Sequence, residues 1–274
     1  GFLAGSGPSF EATGGNIDGY EATNGYTYHV FWSNGSLVTS GGDVAIDAIV
    51  VGKGGSSCPR HGGGGGGGGV AYISNRTISD GTHEIQFEGP GQVNFISGGV
   101  ATVALKGGDG PVNGSGGAGG SGGGGGAPNQ PGSNAPGGPA NQPGQNSGQP
   151  YTTNHGNSGG SGGDGGGGGG GSGGGGGQGS GPGGNVGVGG NAQPFPAFAG
   201  PLLPGMPSPW RDSVGANGKF ASGGIGAGRP NHGYPSGKKG NGEGGGGGKF
   251  EPGEPMTGGG GGGGNDGGGA GGSG

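Results

Sequence analysis

Cysteine is almost missing from this chain of 274 residues, and the single Cys58 excludes an internal disulfide framework. Charge is scarce as well. Ten Lys and Arg against 15 Asp and Glu leave a formal net charge of −5. A weakly acidic chain exerts no electrostatic pull on phosphate backbones, so nucleic acid is not expected as a partner. No apolar run approaches the roughly 18 to 20 residues that cross a bilayer, so membrane insertion is not expected either. Gly1 does not open a basic stretch followed by an apolar one, the pattern of a signal peptide. Only 24% of residues are hydrophobic, too little apolar surface for the one conventional core that a chain of this length normally builds. An ordinary enzyme of one or two domains is therefore not expected.

Catalytic and metal-binding signatures are lacking too. Cys58 and His61 stand three apart, with no second Cys or His pair at a zinc-like spacing. His29, His61, His83, His155 and His232 are scattered singly, with no nucleophile motif around a serine. The run Val50-Val51-Gly52-Lys53-Gly54-Gly55 has the look of a dinucleotide-binding turn, but Ser57 stands where the third Gly belongs and no helical pattern follows. Lys53, Lys219, Lys238 and Lys249 each lack the following Ser or Thr of a phosphate-binding loop. The sequons at Asn34, Asn75 and Asn113 carry meaning only in a secreted eukaryotic chain. Glu251, Glu254 and Asp266 have no calcium-loop pattern around them. No enzymatic activity, cofactor or metal is expected.

Glycine is what the chain has instead: 99 residues, where an ordinary domain carries about 7%. Residues 1–106 hold 26 of them and residues 107–274 hold 73, which divides the chain into two regimes near Lys106. In the first, β-branched and aromatic residues cluster in short runs: Tyr26 to Trp32, Leu37 to Thr39, Val44 to Val51, Val70 to Ser74, His83 to Phe87, Gln92 to Ile96 and Val100 to Leu105. Period-two alternation places Tyr26, Tyr28, Val30 and Trp32 on one strand face, Ile85 and Phe87 on another, and Ala101, Val103 and Leu105 on a third. Asn34-Gly35 and Asp80-Gly81 predict hairpin turns. The expected fold of residues 1–106 is a small antiparallel β-sandwich or roll.

The second regime has no helical periodicity. Its blocks of nearly pure glycine span 114–126, 159–177, 179–190, 240–248 and 258–274, and the octaglycine 62–69 belongs with them. Between the blocks lie the Pro- and Asn/Gln-rich segment Ala127 to Pro150 and the apolar, Pro-punctuated stretch Pro194 to Trp210. Polyglycine pays the largest backbone entropy cost of any sequence, so only dense backbone contacts can order it. A collagen triple helix needs Gly at every third position with Pro-rich neighbours, and that period is missing. Silk-like sheet calls for Gly-Ala or Gly-Ser alternation, and the blocks are mostly unbroken Gly. What remains is a bundle of extended polyglycine II helices, with three residues per turn and hydrogen bonds only to neighbours. The alternative, a flexible Gly/Ser linker, is disfavoured because Ser is sparse in the blocks. The overall expectation is all-β and non-regular: a β-rich domain over 1–106, with 62–69 joining the bundle, then a polyglycine II bundle with long loops over 107–274.

The run from Tyr26 to Trp32, the run Ile46-Asp-Ala-Ile-Val-Val-Gly-Lys-Gly-Gly, and Gly62 to Gly69 followed by Val70-Ala-Tyr-Ile-Ser together resemble the glycine-rich domain of phage tail and tail-fibre proteins, over roughly residues 20–130. The remainder is similar in composition to the distal adhesins of T-even phage tail fibres, whose polyglycine II sandwich alternates with variable tip segments. The N-terminal region does not resemble the fibre-attachment domain of those adhesins. The resemblance implies a virion protein of the phage tail or fibre, extracellular, with other tail subunits and a host-surface receptor, protein or glycan, as partners, and it is compatible with a homo-oligomer.

On that reading the glycine blocks are scaffold and the insertions are contact surface. Phe195, Phe198, Leu202, Leu203, Met206 and Trp210 form the expected contact loop, because stiffened aromatic anchors lose little entropy on binding. Tyr151, Phe220, Tyr234 and Phe250 are weaker candidates. The competing reading of Pro194 to Trp210 is a hydrophobic cap on the bundle or a subunit interface. Two further functions stand beside the adhesin: a purely structural glycine-rich component of a virion, fibre or matrix, and an ice-binding protein. The second is disfavoured by the three threonines, Thr152, Thr153 and Thr257, of residues 107–274.

Overall fold

A strand buried on both faces carries apolar residues at consecutive positions, and Val44 to Val51 does so on either side of Asp47. It forms strand β5 (Val44–Val51), paired antiparallel with β6 (Val70–Ile78). Side chains alternate across the pair. Ile46, Ala48 and Val50 with Ala71 and Ile73 enter one core, while Ile49 and Val51 with Val70 and Tyr72 enter another. The computed structural model describes residues 10–59, 61–127, 134–180, 185–228, 243–249, 251–264 and 269–274.

The other early strands are β1 (Glu11–Thr13), β2 (Ile17–Glu21), β3 (Thr27–Val30), β4 (Gly35–Ser40), β7 (Gly81–Glu88), β8 (Gln92–Ser97) and β9 (Val100–Ala104). A five-stranded antiparallel sheet has the order β1-β4-β7-β8-β9, and β2 pairs with β3 separately. The five-stranded sheet covers the first core, with Ile85, Val93, Phe95 and Ala104 facing Val50, Ala71 and Ile73. The chain is thus mostly β, with antiparallel sheets, as expected.

Two local expectations fail. Asn34-Gly35 and Asp80-Gly81 do not join paired strands: β3 pairs with β2 and β4 with β1 and β7, and β6 and β7 belong to different sheets. These dipeptides permit a turn without choosing a partner, and each side chain is used elsewhere. Asn34 Oδ1 accepts from Phe87 N–H at 2.6 Å, and Asp80 Oδ1 accepts from Gly42 N–H at 2.8 Å. The two-residue hairpin is Gly98-Gly99 between β8 and β9, with φ of 59° and 75°, the positive values that a type I′ turn requires. On β9 Ala101 and Val103 share one face, as expected, and it is the outer one; Thr102 and Ala104 are buried, opposite Phe95 and Val93.

The free edge of β9 is occupied by the Asn/Gln-rich segment. Gln142 is fully buried; its Oε1 accepts from Leu105 N–H at 2.8 Å and its Nε2 donates to Val103 O at 2.8 Å. Asn146 Oδ1 accepts from Val103 N–H at 2.8 Å, and Gln149 Nε2 donates to Ala101 O at 2.8 Å. Side-chain amides therefore pair the edge of β9 in place of another strand, and an edge so occupied offers no template for association. The same segment leads into β10 (Thr152–His155), which completes the sheet β10-β6-β5.

Beyond the sheets the chain continues in glycine segments. Residues 62–69 lie amid six others. Gly63, Gly66 and Gly69 donate N–H bonds to Pro111, Gly108 and Leu105; Gly64 and Gly67 to Gly167 and Gly170; Gly65 and Gly68 to Gly261 and Gly258. Their carbonyls accept from 52–55, 121–124 and 224–227. The bonding direction rotates through three positions every three residues. A Cβ at Gly63, Gly64 or Gly65 would stand 1.9, 2.1 or 2.0 Å from a backbone oxygen, so no face of this run has room for a side chain. Segments on the outside carry side chains at every third position. Asn185, Val188 and Asn191 are exposed between buried neighbours, and Lys106 reaches Asp109 one such step away at 2.6 Å.

Candidate functional site

The second face of the β5–β6 sheet needs a cover, and the chain has one apolar segment left to provide it. Residues 193–220 fold as β11 (Gln193–Pro194), two short 3-10 turns, helix α1 (Ser208–Val214) and β12 (Lys219–Phe220), which pairs with β11. Helix α1 corrects the expectation of no helix here. Pro209 sits in its first turn, Trp210 and Val214 four apart form its buried face, and Gly215 ends it at φ 64°. Phe195, Leu203, Met206, Trp210 and Phe220 are all buried, packed with Tyr28, Val51 and Val70. Phe195 stacks near Tyr72 and His155, with ring centroids 5.4 and 5.3 Å apart, and Trp210 Nε1 donates to Met256 O at 2.9 Å.

The expected contact anchors are thus placed inside the molecule. Phe198 is half-buried against Tyr28 and Tyr72, and Leu202 is half-buried. Tyr151 belongs to the other core, where the Arg76 guanidinium lies 4.8 Å from its ring centroid. Tyr234 and Phe250 lie outside the described residues. Tyr28 Oη donates to Ala197 O, which ties the segment to β3. The physical cause is the two-faced sheet: Ile49, Val51, Val70 and Tyr72 present an apolar face that this segment covers together with Tyr28, Val30 and Met256. The stretch covers a sheet face within the chain, a position that differs from the competing reading of a cap on the glycine bundle or a subunit interface.

The bundle turns at the end away from the sheets. Chain leaving β5 turns at Cys58 to His61, that leaving β9 at Val112 to Ser115, and that leaving β10 near Gly163. These turns are in register with one another: Ala127 N–H donates to His61 O at 2.7 Å, Ala135 bridges Gly162, and Pro59 bridges Gly264. Val112, Asn113, Asn134, Ser180 and Asn185 are exposed there, a surface of small and amide side chains. Of these the sequence reading named only Asn113, as a sequon; the position of Val112 and Asn113 just before a glycine block was the available signal.

A second feature lies at the sheet end. A cavity of about 260 Å³ runs between β3 and β5, with Ile85, Phe87 and Phe95 on one side and Phe198, Met206 and Trp210 on the other. Tyr26 and Trp32 are exposed at its rim, and Tyr26 Oη donates to Asp47 Oδ2 at 3.2 Å, a contact that raises the phenol's pKa. Burial lowers the pKa of His155 and of His83, and burial raises that of Glu254. Among the described residues no group of three or more His, Cys, Asp or Glu is placed to hold a metal ion. No helix of the described residues is long and apolar enough to cross a membrane. No protein-family model matches the chain, and no curated protein or solved structure matches it.

Proposed function

We propose that this chain is a non-enzymatic adhesin of a phage tail fibre or tail tip, in which polyglycine II helices carry recognition turns to a host bacterial surface. The observation that supports it is the enclosure of 62–69 by six glycine-bearing segments, with turns gathered at the end away from the sheets. Bonding that rotates every three residues is the geometry of a polyglycine II helix, which has three residues per turn. A scaffold bonded on all sides is stiff, and loops held by stiff scaffolds are where recognition resides. The contact surface is then the turn end, around Val112, Asn113, Asn134, Ser180 and Asn185, and the receptor is a protein or glycan met by amide and hydroxyl groups. Other tail subunits are the second class of partner, and the virion is the location.

The test is binding of the purified chain to intact bacterial cells, with Asn113→Ala/Asn185→Ala compared against the unchanged protein. Saturable binding that weakens in the double variant at unchanged melting temperature supports the adhesin. Absence of saturable binding across a panel of bacterial hosts overturns it in favour of a purely structural virion component.

A further inference from the structure

The cavity between β3 and β5 has the shape of a missing strand. In an antiparallel pair successive residues turn their main-chain groups alternately toward and away from the partner. Gly52 N–H donates to Gly69 O at 2.9 Å, so Gly52, Val50 and Ala48 face β6, and Ile49 and Val51 direct N–H and C=O away from it, toward the cavity. Across the gap, Ala22 N–H donates to Tyr26 O, so Tyr26 and Tyr28 face β2, and Thr27 and His29 direct theirs away from it. Among the described residues neither edge has a strand partner: β5 ends one sheet and β3 ends another. Both flanks line the same cavity.

We propose that this slot takes an extended strand of a partner protein, running antiparallel to β5 and joining β10-β6-β5 to β3-β2 as one sheet. Main-chain bonds to two edges supply affinity, as in other cases of strand addition. Residues 269–274 already track 52–57 antiparallel, and a strand that takes up their line in the slot has the same direction. Ser57 N–H donates to Gly269 O at 3.0 Å and Gly54 N–H to Gly272 O at 2.8 Å. Gly274 lies at the cavity, where a Cβ on it would come 1.9 Å from Val51 O. A strand passing Gly274 therefore enters alongside Val51 and proceeds toward Asp47. Its composition follows from the walls. Alternate side chains meet Phe87 and Phe95 on one side and Met206 and Trp210 on the other, so the strand is apolar at consecutive positions, as β5 itself is. This proposal is independent of the turn-end adhesin reading, since it concerns the opposite end of the molecule.

The test adds a synthetic peptide to the 274-residue protein: one glycine, four alternating isoleucines and valines, then two lysines for solubility. Amide hydrogen exchange is read at Ile49 and Val51, whose N–H groups face the slot. The expected result is slowing of both amides by about tenfold or more, with no change for Val50, which is already bonded to β6. A control peptide with aspartate at alternate positions has no effect. The same apolar strand appended directly after Gly274 raises the melting temperature, whereas the aspartate version does not. Unchanged exchange at Ile49 and Val51, together with no rise in melting temperature from the appended strand, would overturn the proposal.

Discussion

Gln142 Oε1 accepts the Leu105 main-chain N–H at 2.8 Å, and through this bond a side chain does what a neighbouring strand does elsewhere in the sheet. Gln142→Ala leaves Leu105 N–H unpartnered beside a fully buried site. The expected loss is about 1–3 kcal/mol, the cost of an orphaned buried donor. Urea denaturation measures it, and a loss near zero would mean that water replaces the amide.

Gly65 and Gly174 are expected to respond in opposite ways to alanine. A Cβ at Gly65 meets Gly55 O at 2.0 Å, whereas at Gly174 the nearest atoms stand at 3.7 Å. Gly65→Ala should prevent closure of the bundle. Gly174→Ala should be neutral, or stabilising by about 0.4–1 kcal/mol through the unfolded chain. Melting temperatures of the two variants, measured side by side, decide the matter.

Trp210→Ala removes the largest side chain of the covering segment and its bond to Met256 O. A loss of about 3–5 kcal/mol is expected for a buried Trp. Deletion of 194–210 should go further and uncover Val51, Val70 and Tyr72, seen as increased binding of a hydrophobic dye. If the deletion variant stays as stable as the parent, the covering segment is not part of the core.

His155 and His83 carry pKa values pushed below the ordinary 6.5 by burial, with Arg76 a further cause at His83. The folded state therefore binds fewer protons than the unfolded one in that range. Their contribution is present above about pH 6.5 and is lost as pH falls through the depressed values. Urea midpoints from pH 8 to pH 5 should decline, and His155→Gln should make the decline shallower. An unchanged slope in the variant would assign the dependence to other groups.

The strand runs were legible because β-branched residues on a pleated surface leave a period of two, and Val44 to Val51 was read to its ends. The pairing was not legible. Asn34-Gly35 and Asp80-Gly81 carry the local chemistry of a hairpin, yet the strands around them find partners far along the chain. On β9 the more apolar face is the outer one, with Thr102 and Ala104 buried, and the strand's alternate main-chain groups are taken by Gln142, Asn146 and Gln149 from 40 or so residues away. Among the candidate contact residues, Phe195, Leu203, Met206, Trp210 and Phe220 pack inside the molecule. Apolar content marks Phe195 and Trp210 as buried against something, and only the uncovered face of β5 and β6 says against what.

By itself the sequence determined composition-level facts: antiparallel β-structure, and glycine runs that have no side chains to pack. Each follows from covalent properties that travel with the residue, its branching or its missing Cβ. Tertiary structure decided which edges pair, which face of β9 turns inward, and that Gly62 to Gly69 stands at the centre of the bundle while Asn185, Val188 and Asn191 stand at its rim. Those outcomes depend on segments more than a hundred residues apart meeting in space, where steric exclusion of a Cβ and the need to satisfy every backbone N–H select one arrangement.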